Sequence, residues 1–304
     1  MGLMVELQPA DRESSKAAIP HAAPRTTEAA STQEDLPVLV IARRPGWQVV
    51  DLGEIWRYRE LLWLLTWRDI QVRYKQTVLG VAWAILQPLA TMVVFTLFLG
   101  RMAASDAESY PLFVFAGLLP WTFFSTGISG SGQSLVTNQN LVTKVYFPRL
   151  LIPMGTVAAG LMDLAIAFVL LLIMMPFFGV YPGWRLVLVP GITLMIAVAA
   201  LGVGAWLAAL TVAYRDFRHA VPFMVQLWMF ATPVIYLQGG LGPRWEAWMP
   251  LNPAYGLIAA FRQAVLNQPL DWYAFGVSSA VSVLLLAFGC LYFRRVERSF
   301  ADII

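Results

Sequence analysis

Few residues in this chain could carry reactive chemistry, and none stands in a constellation that would use it. There are two histidines, His21 and His219, and one cysteine, Cys290. Two imidazoles are too few for a metal centre, and a lone thiol permits neither an intrachain disulfide nor a cysteine cluster. Cys290 lies in an apolar run, where a thiol packs as a small hydrophobe. No G-x-x-x-x-G-K-S/T run is present to cradle nucleotide phosphates, and neither G-x-S-x-G nor H-E-x-x-H occurs. Asp69 and Asp216 each stand between arginines with no second carboxylate beside them. Asp163 is the acidic residue well inside an apolar run, where burying a charge costs several kcal/mol and marks a functional candidate. It lies a turn or two beyond the start of that run and has no companion for a proton relay, so its expected role is to bond a neighbouring helix. Neither a catalytic residue nor a metal or cofactor is expected; the chain reads as something other than an enzyme.

The elements that position these residues follow from composition. Of 304 residues, 59% are hydrophobic and 13% charged, with a mean hydropathy of +0.65. Soluble domains carry about 25% charged residues, so this chain departs toward the membrane. Its net charge of +3 fits basic cytoplasmic loops better than nucleic acid. Apolar runs fall at 78–100, 111–136, 153–178, 186–210, 220–237 and 274–293, each near the ~20 residues that a ~30 Å hydrocarbon core requires. The fifth is interrupted by Pro222 and Pro233, breaks that neighbouring helices can tolerate. The fold class expected is an all-α integral membrane protein with six transmembrane helices.

Flanking segments complete the layout. Residues 1–45 are rich in Ala, Ser, Thr, Glu and Pro and read as a disordered tail without a signal-peptide pattern. In 46–76, the stretch EIWRYRELLWLLTWRDIQVRYK (54–75) is too polar to span; it reads as an interfacial amphipathic helix or a plain flanking helix that anchors the first span. A six-span domain occupies 77–296, with a short tail at 297–304. Between spans 5 and 6, residues 238–273 read as a pair of short re-entrant outer helices or as a folded outer loop. Basic residues collect on one side, in 54–75, at Lys144 and Arg149, at Arg215 and Arg218, and at Arg294, Arg295 and Arg298. That bias puts both termini in the cytoplasm.

Four stretches carry a resemblance. RYRELLWLLTWRDIQVRYKQTVLGVAWAILQPLATMVVFTLFLGRMA (57–103), NLVTKVYFPRLLIP (140–153), YRDFRHAVPFMVQLWMFATPVIY (214–236) and LNPAYGLIAAFRQAVL (251–266) occur in order on the expected topology. Together they resemble the membrane permease of type-2 ABC exporters of cell-surface polysaccharides, the O-antigen, capsule and teichoic-acid branch. The resemblance implies a homodimer in the inner membrane, docked to two copies of a separate nucleotide-binding ATPase. Its cargo would be a lipid-linked polysaccharide, O-antigen first, on a polyprenyl-diphosphate carrier. It implies that 54–75 is a gate helix and that 140–149 is the coupling element, with Lys144, Tyr146, Phe147, Pro148 and Arg149 foremost. The tyrosine, phenylalanine and proline would supply a stiff apolar knob, and the two cations could pair with acidic residues of the ATPase.

Two further residue groups gain a candidate role. Arg57, Arg59, Arg68, Arg73 and Lys75 could attract a lipid-linked diphosphate, although anionic bilayer lipids explain them equally well. Trp83, Trp121, Phe123, Phe124, Trp228, Phe230 and Tyr236 could line a channel for a sliding glycan, while aromatic-belt or core packing is the more economical reading of any single one. Three other functions remain open: a type-2 exporter of small molecules or lipids, a membrane-embedded transferase acting on lipid-linked sugars, and a secondary flippase. No internal repeat is visible to favour the last.

Overall fold

The computed structural model describes residues 52–75, 80, 82–99, 109–234 and 248–297. The tail at 1–45, most of the C-terminal tail, Tyr236 and the first half of the outer pair lie outside the described residues. Among the described residues every regular element is helical, as expected of a chain whose backbone polar groups must be satisfied within each segment in lipid. The helices are α1 (Leu52–Arg57), α2 (Arg59–Lys75), α3 (Ala82–Leu99), α4 (Tyr110–Thr137), α5 (Gln139–Lys144) and α6 (Leu151–Met174). They continue with α7 (Val189–Ala213), α8 (Phe217–Phe230), α9 (Pro253–Val265) and α10 (Trp272–Glu297). Short 3-10 turns at Met175–Phe178 and Trp184–Leu188 extend α6 and α7 at their loop ends.

Five helices among the described residues are long and apolar enough to cross a membrane: Ala82–Leu99, Tyr110–Thr137, Leu151–Phe178, Trp184–Ala213 and Trp272–Glu297. They coincide with the first, second, third, fourth and sixth apolar runs. The fifth run behaves differently. Its helix, α8, has 14 residues and contains Pro222, so it is about 21 Å long and falls short of a ~30 Å core.

The bundle is built around α4, of whose apolar window 72% is buried, against 11% for α3. Small residues let the helices touch where lipid supplies no hydrophobic drive between them. A Cβ on Gly204 would come within 2.5 Å of the Ser131 Cβ on α4, and one on Gly289 of α10 within 2.1 Å of the Gly202 carbonyl on α7. Both are close approaches, the second to backbone, that a larger residue would break. The outer faces of the spans, with Leu97, Phe98, Leu194 and Leu284 all at least 60% exposed, are what a lipid-facing surface requires.

The second half of the outer segment is a helix. In α9 every residue but Gln263 is buried, enclosed by α4, α7 and α10. Asn252 caps it by accepting from the Ala254 N–H at 3.1 Å, and Pro253 sits at the first position, where no N–H is missed.

Candidate functional site

The residues that could do work gather at the end of the bundle where α2 meets α6. Gly155 lets α2 approach closely: a Cβ there would lie 3.3 Å from the Leu65 Cβ and 3.5 Å from the Thr66 nitrogen. One turn on, the Thr156 hydroxyl donates to the Asp69 carboxylate at 3.2 Å, which also receives Arg68 at 2.8 Å. Two turns on, Asp163 forms an ion pair with Arg73 and accepts the hydroxyl of Tyr74. The contacts 65 to 155, 69 to 156 and 73 to 163 advance in the same sense. The helix α2 therefore runs alongside α6 in the same direction.

Asp163 thus bonds a neighbouring helix, and that helix is α2. It also sits deeper than a turn or two. Because α6 starts at Leu151, Asp163 lies about 18 Å along it, more than three turns. A carboxylate there needs a cation, and Arg73 supplies one. Burial, and then donation to Asp163, push the Tyr74 hydroxyl well above the usual phenol range, so it remains a proton donor.

A cavity of about 250 Å³ opens beside this cluster. Its polar wall is made by Arg73, Tyr74 and Asp163 together with Gln87, Thr122 and Thr126. Trp83 closes one side, and Pro88, Leu119, Phe123 and Leu164 form the apolar floor. The five basic residues, Arg57 at the end of α1 and four on α2, do not form one uniformly exposed surface. Arg57, Arg59 and Lys75 are exposed, whereas Arg68 and Arg73 are half-buried and paired. Trp56, Trp63, Leu64, Trp67 and Val72 add apolar surface to the exposed face, beside Glu60 and Gln71, with Arg59 stacked 5.1 Å from the Trp56 ring.

The segment 140–149 divides into two parts. Lys144, Val145 and Tyr146 are exposed, the last by 87%. Phe147 is 5% exposed and packs in a cluster with Leu65 of α2, Leu151 of α6 and Phe293 of α10. Pro148 and Arg149 are half-buried. The Arg149 backbone N–H donates to the Glu297 carboxylate at 3.2 Å, and its guanidinium donates to the Glu297 carbonyl. Phe147 and Arg149 accordingly fasten the loop to the chain itself, while Lys144 and Tyr146 point outward.

The candidate channel aromatics separate in the same way. Trp121, Phe123 and Phe124 are 5%, 2% and 1% exposed, so their rings belong to the core of this chain and only Phe123 touches the cavity. Trp228 meets Phe124 edge-on at 5.2 Å and donates its indole N–H to Asn252 at 2.9 Å. Trp83 and Phe230 keep exposed faces, 52% and 60%.

One functional-looking residue escaped the sequence reading as a site. Arg262, on α9, is 4% exposed; its guanidinium lies 4.0 Å from the Phe113 ring centroid and donates to the carbonyls of Pro233 and Val234 at 3.4 and 3.3 Å. An arginine following phenylalanine inside an apolar stretch was the signal available. No three His, Cys, Asp or Glu side chains converge among the described residues.

Long apolar helices joined through small residues, with a charged helix laid along one of them, define a multi-pass membrane protein. Residues 60–266 match the family model for the ABC-2 type transporter. The chain is 32% identical to the O-antigen export system permease protein RfbA of Myxococcus xanthus over 252 residues, covering 82% of this chain and 97% of that protein. It is 24% identical to a protein of the same name from Klebsiella pneumoniae over 249 residues, covering 81% and 95%. To the polysialic acid transport protein KpsM of Escherichia coli it is 23% identical over 209 residues, covering 66% and 78%. The chain belongs to the ABC-2 type transporter family, and it is a transport subunit rather than an enzyme.

Proposed function

We propose that this chain is the permease subunit of an ATP-driven exporter that carries a polyprenyl-diphosphate-linked polysaccharide, O-antigen first, across the inner membrane. The observation that carries the reading is the near end-to-end similarity to RfbA, an O-antigen export permease by name. The likeness to KpsM, a polysialic acid transport protein, favours polysaccharides over small molecules as the cargo class. Two copies pair, two ATPase subunits dock from the cytoplasm, and both termini face that side. The fifth apolar run, which contains most of α8, belongs to a sixth crossing, and α9 re-enters the outer leaflet.

In this mechanism Lys144 and Tyr146 enter a cleft of the ATPase. Phe147 and Arg149 transmit the push, because one shares a cluster with α2 and α10 and the other holds Glu297. Substituting Phe147 removes a ring from the chain's own core, so Tyr146 is the position that tests contact with the partner.

Deleting the gene and extracting surface and cytoplasmic glycans tests the whole reading. The expected result is lipid-linked polymer trapped inside the cell, relieved by the gene on a plasmid. Undiminished surface glycan in the deletion strain overturns it.

A further inference from the structure

We propose that the cavity beside the end of α2 is a subsite for one sugar ring bearing a phosphate, namely the sugar attached to the carrier diphosphate. The proposal rests on the export reading above and names the part of the cargo that this site takes.

Size comes first. At about 250 Å³ the cavity lies just below the ~300–1,000 Å³ of pockets for drug-sized ligands, which suits one ring. Chemistry comes second. A pyranose has an apolar C–H face and a rim of hydroxyls, so it needs an aromatic plane and a mixed set of donors and acceptors. Trp83 supplies the plane, half-exposed on the cavity wall. Gln87 offers both an acceptor and donors. The Thr126 hydroxyl gives its proton to the Thr122 carbonyl at 2.7 Å, which leaves its lone pairs for an incoming hydroxyl. Asp163 receives one bond on each oxygen, and a carboxylate has about four lone-pair sites. Arg73 meets Asp163 through a single guanidinium nitrogen; its remaining N–H groups suit a phosphate oxygen.

A purely structural ion pair has no need of adjoining space, and an empty apolar void has no need of a polar wall. Four helices, α2, α3, α4 and α6, each contribute a group with sugar-binding chemistry to the same small volume.

Cysteine protection tests the proposal. Ala84 lines the cavity without a polar group, so Ala84→Cys reports occupancy by its rate of maleimide labelling. Leu164→Cys on another wall is the second reporter. The native thiol, Cys290, is buried and supplies the background. The full-length chain in nanodiscs is labelled alone, with polyprenyl diphosphate, and with polyprenyl diphosphate bearing one hexose. The hexose-bearing probe is expected to slow labelling at least tenfold, and the bare carrier to leave it within twofold. Equal protection by both probes, or by neither, overturns the sugar assignment, as does a cavity already blocked by bilayer lipid alone. Adding Trp83→Ala should abolish the hexose-specific protection and Trp83→Phe should keep it; unchanged protection in the alanine variant removes Trp83 from the site. Glycan trapped by gene deletion with no protection at either reporter sinks the subsite and leaves export standing.

Discussion

Two short helices lie against long spans in this protein, and the balance of contacts that attaches them differs. At one end of the bundle, α9 touches α10 through backbone: a Cβ on Gly256 would meet the Ala274 carbonyl at 2.2 Å. The Ser278 hydroxyl ties both sides, donating to the Pro250 carbonyl at 2.8 Å and accepting from the Gly256 N–H at 3.1 Å. Arg262, a permanent cation, is spent on main-chain carbonyls and a ring. At the other end, α2 buries only Leu65 and Thr66 of its 17 residues. Beyond the close approach at Gly155 and the apolar seat of Leu65, it is held by side-chain charges, and Arg73 and Asp163 remain 31% and 29% exposed. A close backbone contact in a fully packed site has no second arrangement of similar energy. An ion pair that is about 30% exposed beside a cavity can exchange its partner for water or a ligand. The difference assigns rigidity to the seat of α9 and adjustability to α2.

Breaking the attachment of α9 should have the largest effect. Arg262→Ala strips two buried carbonyls of their donor, at roughly 1–3 kcal/mol each, and should destabilise the protein by about 3 kcal/mol. Thermal unfolding in detergent reads this directly, and an unchanged melting temperature would remove Arg262 from its structural role. Gly256→Ala forces a methyl into a backbone carbonyl and should cost about 2 kcal/mol, as overpacking does, with a loss of folded protein at the membrane.

Substitutions at α2 should invert the balance between stability and transport. Asp163→Asn is expected to lower stability by less than ~1 kcal/mol while reducing export at least tenfold. If its melting temperature falls as far as that of Arg262→Ala, the contrast between the two ends disappears. Tyr146→Ala should leave melting unchanged, because the ring is 87% exposed, and should abolish stimulation of the partner ATPase by the permease. Full coupling in that variant would move the contact elsewhere in the loop.

Much of the architecture was legible in the residues alone. Hydropathy is a local sum along the chain, so five apolar runs were recognisable and became five long helices. The helical propensity of 54–75 and the short helix within 251–266 were readable for the same reason. In the fifth run the helix carries Pro222 within it and ends at Phe230 in a turn, an ending that the run's continuous composition does not reveal. The aromatic candidates were chosen by type. Type cannot tell a ring such as Phe124, packed inside α4's own surroundings, from one such as Trp83 that keeps an open face.

Sequence by itself determined that this is an all-α membrane protein, where its long helices fall and, through four motif stretches, which family it joins. Tertiary structure alone decided that Asp163 answers to Arg73 and Tyr74, that Phe147 turns inward while Tyr146 turns outward, and that Arg262 is enclosed. Hydrophobic periodicity acts between neighbours in the chain, whereas a charge finds its partner only once two helices are laid side by side, here across 90 residues.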